Sequence, residues 1–143
     1  MNDTLTPSQR SQRMRLIRSK NTTPELQVRR MIHALGFRYS LHRKDLPGKP
    51  DIVCSRLNCV IFVHGCFWHR HAASRCRLAR LPKSRLDFWL PKLESNRLRD
   101  QKNLRGVRSR GWKILVVWEC ELRDKERIEN KIRRFLEVSD AGS

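Results

Sequence analysis

Acidic side chains are scarce in this sequence, and the resulting charge imbalance is its first informative property. The 143 residues contain 14 Asp and Glu against 32 Lys and Arg, which gives a formal net charge of +18. So large a positive excess favours a polyanionic partner, usually nucleic acid. An anionic membrane surface is the rival partner, but we find no basic amphipathic segment with a clean apolar face.

Long apolar runs and a secretory signal are also missing. No run approaches the roughly 20 residues that span a bilayer, and the N-terminus is polar. The five cysteines are an odd number, so we expect reduced thiols in the cytoplasm, where metal binding is a common use of cysteine. Since there is no internal repeat and no linker, we expect one domain over residues 1–143, with flexible ends at 1–7 and 138–143.

Hydrophobic spacing and turn residues predict an α/β sandwich around one mixed sheet. Residues 65–85 are basic and have few apolar anchors, so something other than a core must order them. The long helix expected at 87–110 has only a weak apolar stripe, which consists of Leu90, Leu93, Leu104 and Val107. The expected elements, in order, are a short helix at 8–18, a helix from Thr22 to Gly36, strands at 37–41, 51–54 and 59–64, a long helix at 87–110, a strand at 112–118 and a last helix around 128–136.

Sulfur and imidazole groups are crowded just after the third expected strand. Four residues separate Cys66 from His71, four separate His71 from Cys76, and Cys120 follows the apolar run at 112–118. Three cysteines and one histidine form a closed tetrahedral set, which is typical of structural zinc. We therefore expect a zinc ion that orders residues 65–85, with His69 as an alternative to His71.

Candidate groups for phosphodiester cleavage lie beside this cluster. Asp51 opens an apolar strand, where a carboxylate can hold Mg²⁺ against a phosphate. His64 and His69 flank the end of the next strand, and a neutral histidine can take a proton from attacking water. Glu25 is a second carboxylate if its helix packs over the site.

Each of these residues also has a simpler interpretation. Asp51 could simply form a turn or lie on the surface, and Glu25 could cap the helix that it begins. His64 could simply hydrogen-bond to the backbone. Cysteines can fill a core, which is the role we expect for Cys54 and Cys59. The nuclease hypothesis therefore depends on the combination of these groups with the strongly basic charge.

Three runs of residues resemble the very short patch repair (Vsr) endonucleases. The resemblance spans about 8–136 and keeps its order along the chain. The runs are 46–51 (LPGKPD), 60–71 (VIFVHGCFWHRH) and 111–120 (GWKILVVWEC).

This resemblance implies a restriction-endonuclease-like fold of the PD-(D/E)XK type and a DNA-nicking activity. The implied substrate is double-stranded DNA with a T·G mismatch left by deamination of 5-methylcytosine. One strand is cut on the 5′ side of the thymine, and a short tract is then resynthesised. The implied setting is a monomer in the bacterial cytoplasm, bound to the nucleoid through DNA, with mismatch-repair proteins as candidate partners and no membrane.

The resemblance also assigns roles to residues. It implies that Mg²⁺ binds Asp51 and the backbone carbonyl of Val63, with structural Zn²⁺ at the cysteine set already named. It implies that His69 is the general base, with His64 as its catalytic neighbour and Glu25 as a supporting carboxylate. The implied DNA contacts are aromatic side chains that wedge into the duplex and one minor-groove contact, namely Phe67, Trp68, Trp89 and Met14.

The sequence departs from the family pattern at three points. Val63 stands where a hydroxyl residue is expected, so only its carbonyl matches. The spacing from His71 to Cys76 is longer, and the C-terminal tail is shorter. Two other hypotheses remain open: a non-enzymatic, zinc-stabilised nucleic-acid-binding protein, and a related nuclease with a different DNA specificity.

Overall fold

The computed structural model describes residues 22–67, 69, 76 and 85–141. The helix expected at 8–18 and most of the segment 65–85 lie outside these residues. Within them, helices α1 (Thr23–Ala34), α2 (Leu86–Ser109) and α3 (Lys125–Ala141) surround one sheet. Its strands are β1 (Ser40–Leu41), β2 (Ile52–Cys54), β3 (Cys59–His64) and β4 (Lys113–Trp118).

Helix α1 begins and ends where its sequence predicts. The Thr22 hydroxyl accepts a hydrogen bond from the backbone N–H of Glu25, 3.4 Å away, which satisfies one of the free N–H groups of the first turn. Gly36 follows the helix with a φ of 87°, a conformation that residues with a Cβ rarely adopt. Val28 and Ile32 are fully buried, so the helix turns one apolar face to the sheet.

The sheet has the order β1-β2-β3-β4. Strands β1, β2 and β3 are antiparallel neighbours, whereas β3 and β4 are parallel. A parallel pair needs a crossover connection, and α2 lies within it. The β2–β3 hairpin turns through a short helix at Ser55–Leu57 and through Asn58, whose φ is 56°. The strand expected at 37–41 is formed only at its last two residues.

Both faces of the sheet are covered, because side chains alternate along each strand. Ile61 and Val117 face a core that also contains residues of α1 and α3. Val60 and Phe62 face a second core that contains Val107 of α2. The molecule is therefore a three-layer α/β/α sandwich, as the sequence predicted.

Two details of burial differ from the sequence-based expectation. Leu90 is 38% exposed, whereas Leu93 of the same helix is buried, so the apolar stripe of α2 is shorter than predicted. Strand β4 was expected to be buried on both faces, but only Val117 is fully buried there. Because β4 lies at an edge of the sheet, fewer neighbours cover its side chains.

Helix α3 continues to Ala141, so residues 138–141 of the tail that we expected to be flexible are helical. Ser139 is buried, and its hydroxyl donates a hydrogen bond to the Phe135 carbonyl, 2.8 Å away. Among the residues described, none of the helices has the length and apolar character needed to cross a bilayer.

The packing of α3 predicts the effect of truncating its side chains. Ile132 is fully buried, whereas Val138, on the same helix, is 68% exposed. We expect Ile132→Ala to lower the free energy of unfolding by about 2–5 kcal/mol, because it opens a cavity in the core. Val138→Ala should change it by less than about 0.5 kcal/mol. Urea denaturation of both variants measures the difference, and equal effects would contradict this packing.

Candidate functional site

A cavity of about 1010 Å³ opens where the start of α1, the end of β3 and the middle of α2 meet. The four candidate catalytic residues line it, namely Glu25, Asp51, His64 and His69, and so do Val63 and Phe67. They come from three separate parts of the chain, so the fold brings them together. The cavity is therefore the candidate functional site.

Asp51 lines this cavity, and a backbone group of β3 fixes its carboxylate. Its Oδ2 accepts a hydrogen bond from the backbone N–H of Val63, 2.7 Å away. Burial, aided by the neighbouring Glu25 carboxylate and opposed by the Val63 N–H, raises the pKa of the Asp51 carboxyl to about 7. A carboxyl group with these neighbours is better accommodated when a positive charge is close.

Glu25 has a larger role than capping its helix. Its backbone N–H bonds to Thr22, but its carboxylate, only 2% exposed, contacts His42 Nε2 and lies 3.2 Å from an Arg29 guanidinium nitrogen. Ligand atoms of Glu25, His42 and Asp51 lie within 4.8 Å of one another. His42 was not singled out in the sequence, because a lone histidine after a short strand carries no distinctive pattern.

Two histidines and an aspartate form a second group in the cavity. The imidazole rings of His64 and His69 are stacked, with centroids 3.9 Å apart and planes 5° from parallel. His69 Nδ1 lies 2.5 Å from Asp100 Oδ2, which fixes the direction of the ring. Burial, aided by the neighbouring His69 ring and partly offset by Asp100, lowers the pKa of His64 to about 3.

Asp100 was not identified from the sequence, although its position in the apolar stripe of α2 is a signal. Asn96 and Asp100 lie between Leu93 and Leu104 at helical spacing, on the face of α2 that turns to the sheet and the cavity. Polar residues inside an apolar stripe are more informative than those on an exposed face. The weakness of the stripe in α2 was thus itself an indication of a site.

Three of the four expected sulfur and imidazole ligands are described, and they lie together. The sulfur atoms of Cys66, Cys76 and Cys120 are within 4.8 Å of one another. Cys66 Sγ also accepts a hydrogen bond from the Cys120 backbone N–H, 3.4 Å away. Burial raises the pKa of the Cys66 and Cys120 thiols. The fourth expected ligand, His71, lies outside the described residues.

The expected aromatic contacts are described in part. Phe67, next to Cys66, packs edge-on against Trp89 at the start of α2, with ring centroids 5.5 Å apart. Both are half-buried, and the neighbouring Phe88 is 46% exposed. Lys92 Nζ lies 5.7 Å from the Phe88 ring. The other two expected contacts, Trp68 and Met14, lie outside the described residues.

The three groups differ in the chemistry that they can support. Two carboxylates suit a hard divalent cation. The stacked histidines, one of them held by an aspartate, suit proton transfer. Three thiols at close range suit a thiophilic ion such as zinc, which needs thiolate ligands and would reverse the effect of burial on the thiols.

Comparison with known proteins gives a consistent set of relatives. The family model "DNA mismatch endonuclease Vsr" matches residues 2–75. The type II nicking enzyme V.XorIIP of Xanthomonas oryzae is 51% identical over 139 residues, which cover 97% of this chain and all of that protein. V.NmeAIP of Neisseria meningitidis is 44% identical over 99% of both chains. The DNA mismatch endonuclease Vsr of Escherichia coli is 38% identical, over 85% of this chain and 76% of its own length.

A solved structure supports the fold. The catalytic domain of the homing endonuclease I-Bth0305I superposes with a TM-score of 0.57 and covers 83% of this chain and 98% of its own. At 18% identity this likeness concerns the fold alone. A mixed sheet between helices, shared with a nuclease domain, agrees with the restriction-endonuclease-like α/β fold that we expected.

The environment of His64 leads to a prediction about its charge. With a pKa near 3, its imidazole should be neutral at every pH well above that value. NMR spectra of the imidazole carbons should show no titration of His64 between about pH 5 and 8, the range in which unperturbed histidines change charge. A midpoint inside that range would contradict the buried, ring-stacked position.

Proposed function

This chain belongs to the Vsr DNA mismatch endonuclease family, and on that premise we propose that it is a DNA nickase dependent on a divalent cation, Mg²⁺. Its proposed substrate is duplex DNA with a T·G mismatch, cut on the 5′ side of the thymine. The observation that carries this proposal is the cavity in which Asp51 and Glu25 lie beside the group of His64, His69 and Asp100.

Asp51 and the Val63 carbonyl would hold the cation, with Glu25 close by. The fit is supported by the chemistry of the donors, because the Glu25 carboxylate raises the pKa of the Asp51 carboxyl and a dication relieves the repulsion between the two. When bound, such an ion neutralises phosphate charge and makes a bound water more acidic. Family likeness alone supplies the choice of Mg²⁺.

His69 is the proposed general base. Because its Nδ1 is engaged by Asp100, Nε2 is the atom that would accept the proton of the attacking water. Asp100 stabilises the imidazolium that results and keeps the ring in one orientation. The neutral His64 ring, stacked on His69, limits the movement of the base without adding a second positive charge.

The basic face of α2 is the proposed track for the DNA backbone. Its exposed cations can neutralise phosphates, and this sequence-independent attraction depends on salt. They are Arg99, Lys102, Arg105 and Arg108. Phe67 and Trp89 would insert beside the mismatch, where unstacking requires the least free energy. Trp68 and Met14 are proposed to complete these contacts.

Zinc is the proposed ion at the three thiols, with His71 as fourth ligand. A closed set of four protein ligands leaves no position for a reacting water, so its role would be structural. By fixing Cys66 and Cys76 to Cys120 it would tie the segment 65–85 to the end of β4. Cys66 immediately precedes Phe67, so the same ion would position an aromatic of the DNA contact.

A nickase with another DNA context is the second candidate. V.XorIIP and V.NmeAIP, both called type II nicking enzymes, are more similar to this chain than Vsr of E. coli is. The bases around the mismatch are therefore a separate question from the chemistry. We further propose that the chain acts as a monomeric single domain in the cytoplasm, with mismatch-repair proteins as candidate partners.

Nicking of a T·G duplex is the direct test. The purified chain should cut one strand with Mg²⁺ and none with EDTA. Asp51→Ala should reduce nicking to background and leave DNA binding largely intact, because it removes a cation ligand and none of the basic surface. The rate is measured on end-labelled duplexes that carry T·G, other mismatches or only matched pairs, in several sequence contexts.

The control for this test is Asp45→Ala. Asp45 is an exposed aspartate paired with Arg43, and its loss should leave the nicking rate unchanged. Equal cutting of matched duplex would refute the mismatch specificity. Binding with strong salt dependence but no cleavage with any divalent ion would instead identify a non-enzymatic nucleic-acid-binding protein.

Metal analysis tests the zinc proposal independently. Protein purified without chelator should contain about one zinc per chain. Cys120→Ala should release this zinc and destabilise the fold, because metal binding contributes to folding free energy. Cys54→Ala, at a fully buried core cysteine, should destabilise the fold but retain zinc. A folded, metal-free wild-type protein would disprove the proposal.

A further inference from the structure

His42 lies in the wall of the cavity beside the two carboxylates that would hold the cation. We propose that His42 is a nitrogen ligand of that cation, which makes the centre bind Mn²⁺ in preference to Mg²⁺. This inference rests on the proposed function, because it concerns the same metal centre. It adds a ligand and a metal preference to that centre.

The backbone places His42 opposite Asp51. Leu41 pairs with Ile52 in the antiparallel β1–β2 ladder. His42, the residue after β1, therefore faces Asp51, the residue before β2. The His42 N–H accordingly donates to the Asp51 carbonyl, 3.4 Å away. This pairing brings the imidazole to the carboxylates from the side opposite β3.

The conformation of His42 is an unfavourable one for a residue with a Cβ. Its φ is 50°, in the left-handed region. Such backbone conformations are unfavourable for most residues and persist where the surrounding structure fixes them, often at functional sites. Here the unusual φ directs the ring into the cavity, where its side chain is only 13% exposed.

The donor atoms are close enough to share one ion. Those of Glu25, His42 and Asp51 lie within 4.8 Å of one another. Adjacent ligands on an octahedral ion with bonds of about 2.1–2.2 Å are about 3 Å apart, so small side-chain rotations suffice. His42 Nε2 and a Glu25 oxygen now contact each other directly, and an ion between them would replace that hydrogen bond.

Charge favours a cation at this position. Arg29 is a positive group beside both Glu25, at 3.2 Å, and His42 Nε2, at 3.5 Å. When both carboxylates are ionised they outnumber this one guanidinium, and the net negative charge attracts a dication. Histidine binds metals in its neutral form, so the imidazole adds a donor without repelling the ion.

The element of the donor decides the metal preference. Mg²⁺ is a hard ion that takes oxygen ligands almost exclusively, whereas Mn²⁺ also suits carboxylates but, as a first-row transition ion, accepts an imidazole nitrogen more readily. A centre of two carboxylates and one imidazole therefore gains more from Mn²⁺ than from Mg²⁺. Without His42 the remaining oxygen ligands would discriminate less between the two ions.

Metal binding to the full chain in the absence of DNA tests this inference. Mn²⁺ and Mg²⁺ affinities are measured by titration calorimetry for wild type, His42→Gln and a control, His33→Gln. His33 is an exposed histidine in the last turn of α1. We expect His42→Gln to weaken Mn²⁺ binding by about tenfold or more and Mg²⁺ binding much less, with no change in the control.

Electron spin echo spectroscopy of bound Mn²⁺ supplies a readout that a merely structural role would not alter. The wild type and His33→Gln should show modulation from a directly bound nitrogen, and His42→Gln should lose it. The proposal is overturned if the modulation is absent from wild type or persists in His42→Gln. It is also overturned if both metals are lost in parallel, since His42 would then only support Glu25.

These measurements do not depend on cleavage. A chain that binds Mn²⁺ through His42 but cuts no DNA would refute the proposed function and retain this inference. A chain that nicks T·G duplexes but shows no nitrogen ligand on Mn²⁺ would support the proposed function and refute this inference.

Discussion

Two carboxylates held close together inside one cavity are the constraint on which the site depends. Glu25 and Asp51 repel each other, and burial makes their charges harder to stabilise. Groups from several elements contact the two carboxylates: Arg29 one turn along α1, His42 after β1, and the Val63 N–H from β3. Two buried carboxylates this close together do not stabilise a hydrophobic core. Such a pair is typical of a site where a cation binds.

The end of β3 connects this carboxylate pair to the rest of the proposed machinery. Within six residues the chain carries an imidazole into the cavity at His64, a thiol to Cys120 at Cys66, a ring to Trp89 at Phe67 and a second imidazole to Asp100 at His69. A displacement of this segment would therefore disturb the base, the metal ligands and the aromatic contact together. Tying the segment to the end of β4 through sulfur ligands would limit such displacement, which gives a structural ion an indirect effect on catalysis.

The sequence predicted most of the helices and strands, because these depend on local patterns, and it named the candidate catalytic residues, although only the fold brings them into one cavity. Thr22 and Gly36 mark α1 by capping chemistry, and the apolar runs at 52–54 and 59–64 pair because a short turn separates them. What it missed depends on tertiary contacts. His42 becomes informative only when β1 pairs with β2, whereas Asp100 had a signal in the apolar stripe of α2 but acquires its partner His69 only when α2 packs over the cavity.

Val63 shows why a site can tolerate a change of residue at a position that it uses. Its side chain packs against the core shared with α1 and α3, while its N–H holds the Asp51 carboxylate on the cavity side. A β-strand presents its backbone groups in the plane of the sheet and its side chains above and below it, so the two functions are independent. Any residue that suits a half-buried strand can keep the backbone contact, and valine does so as well as a hydroxyl residue. His42 is the opposite case, because its contribution comes from the ring, and only a residue with a similar donor can replace it.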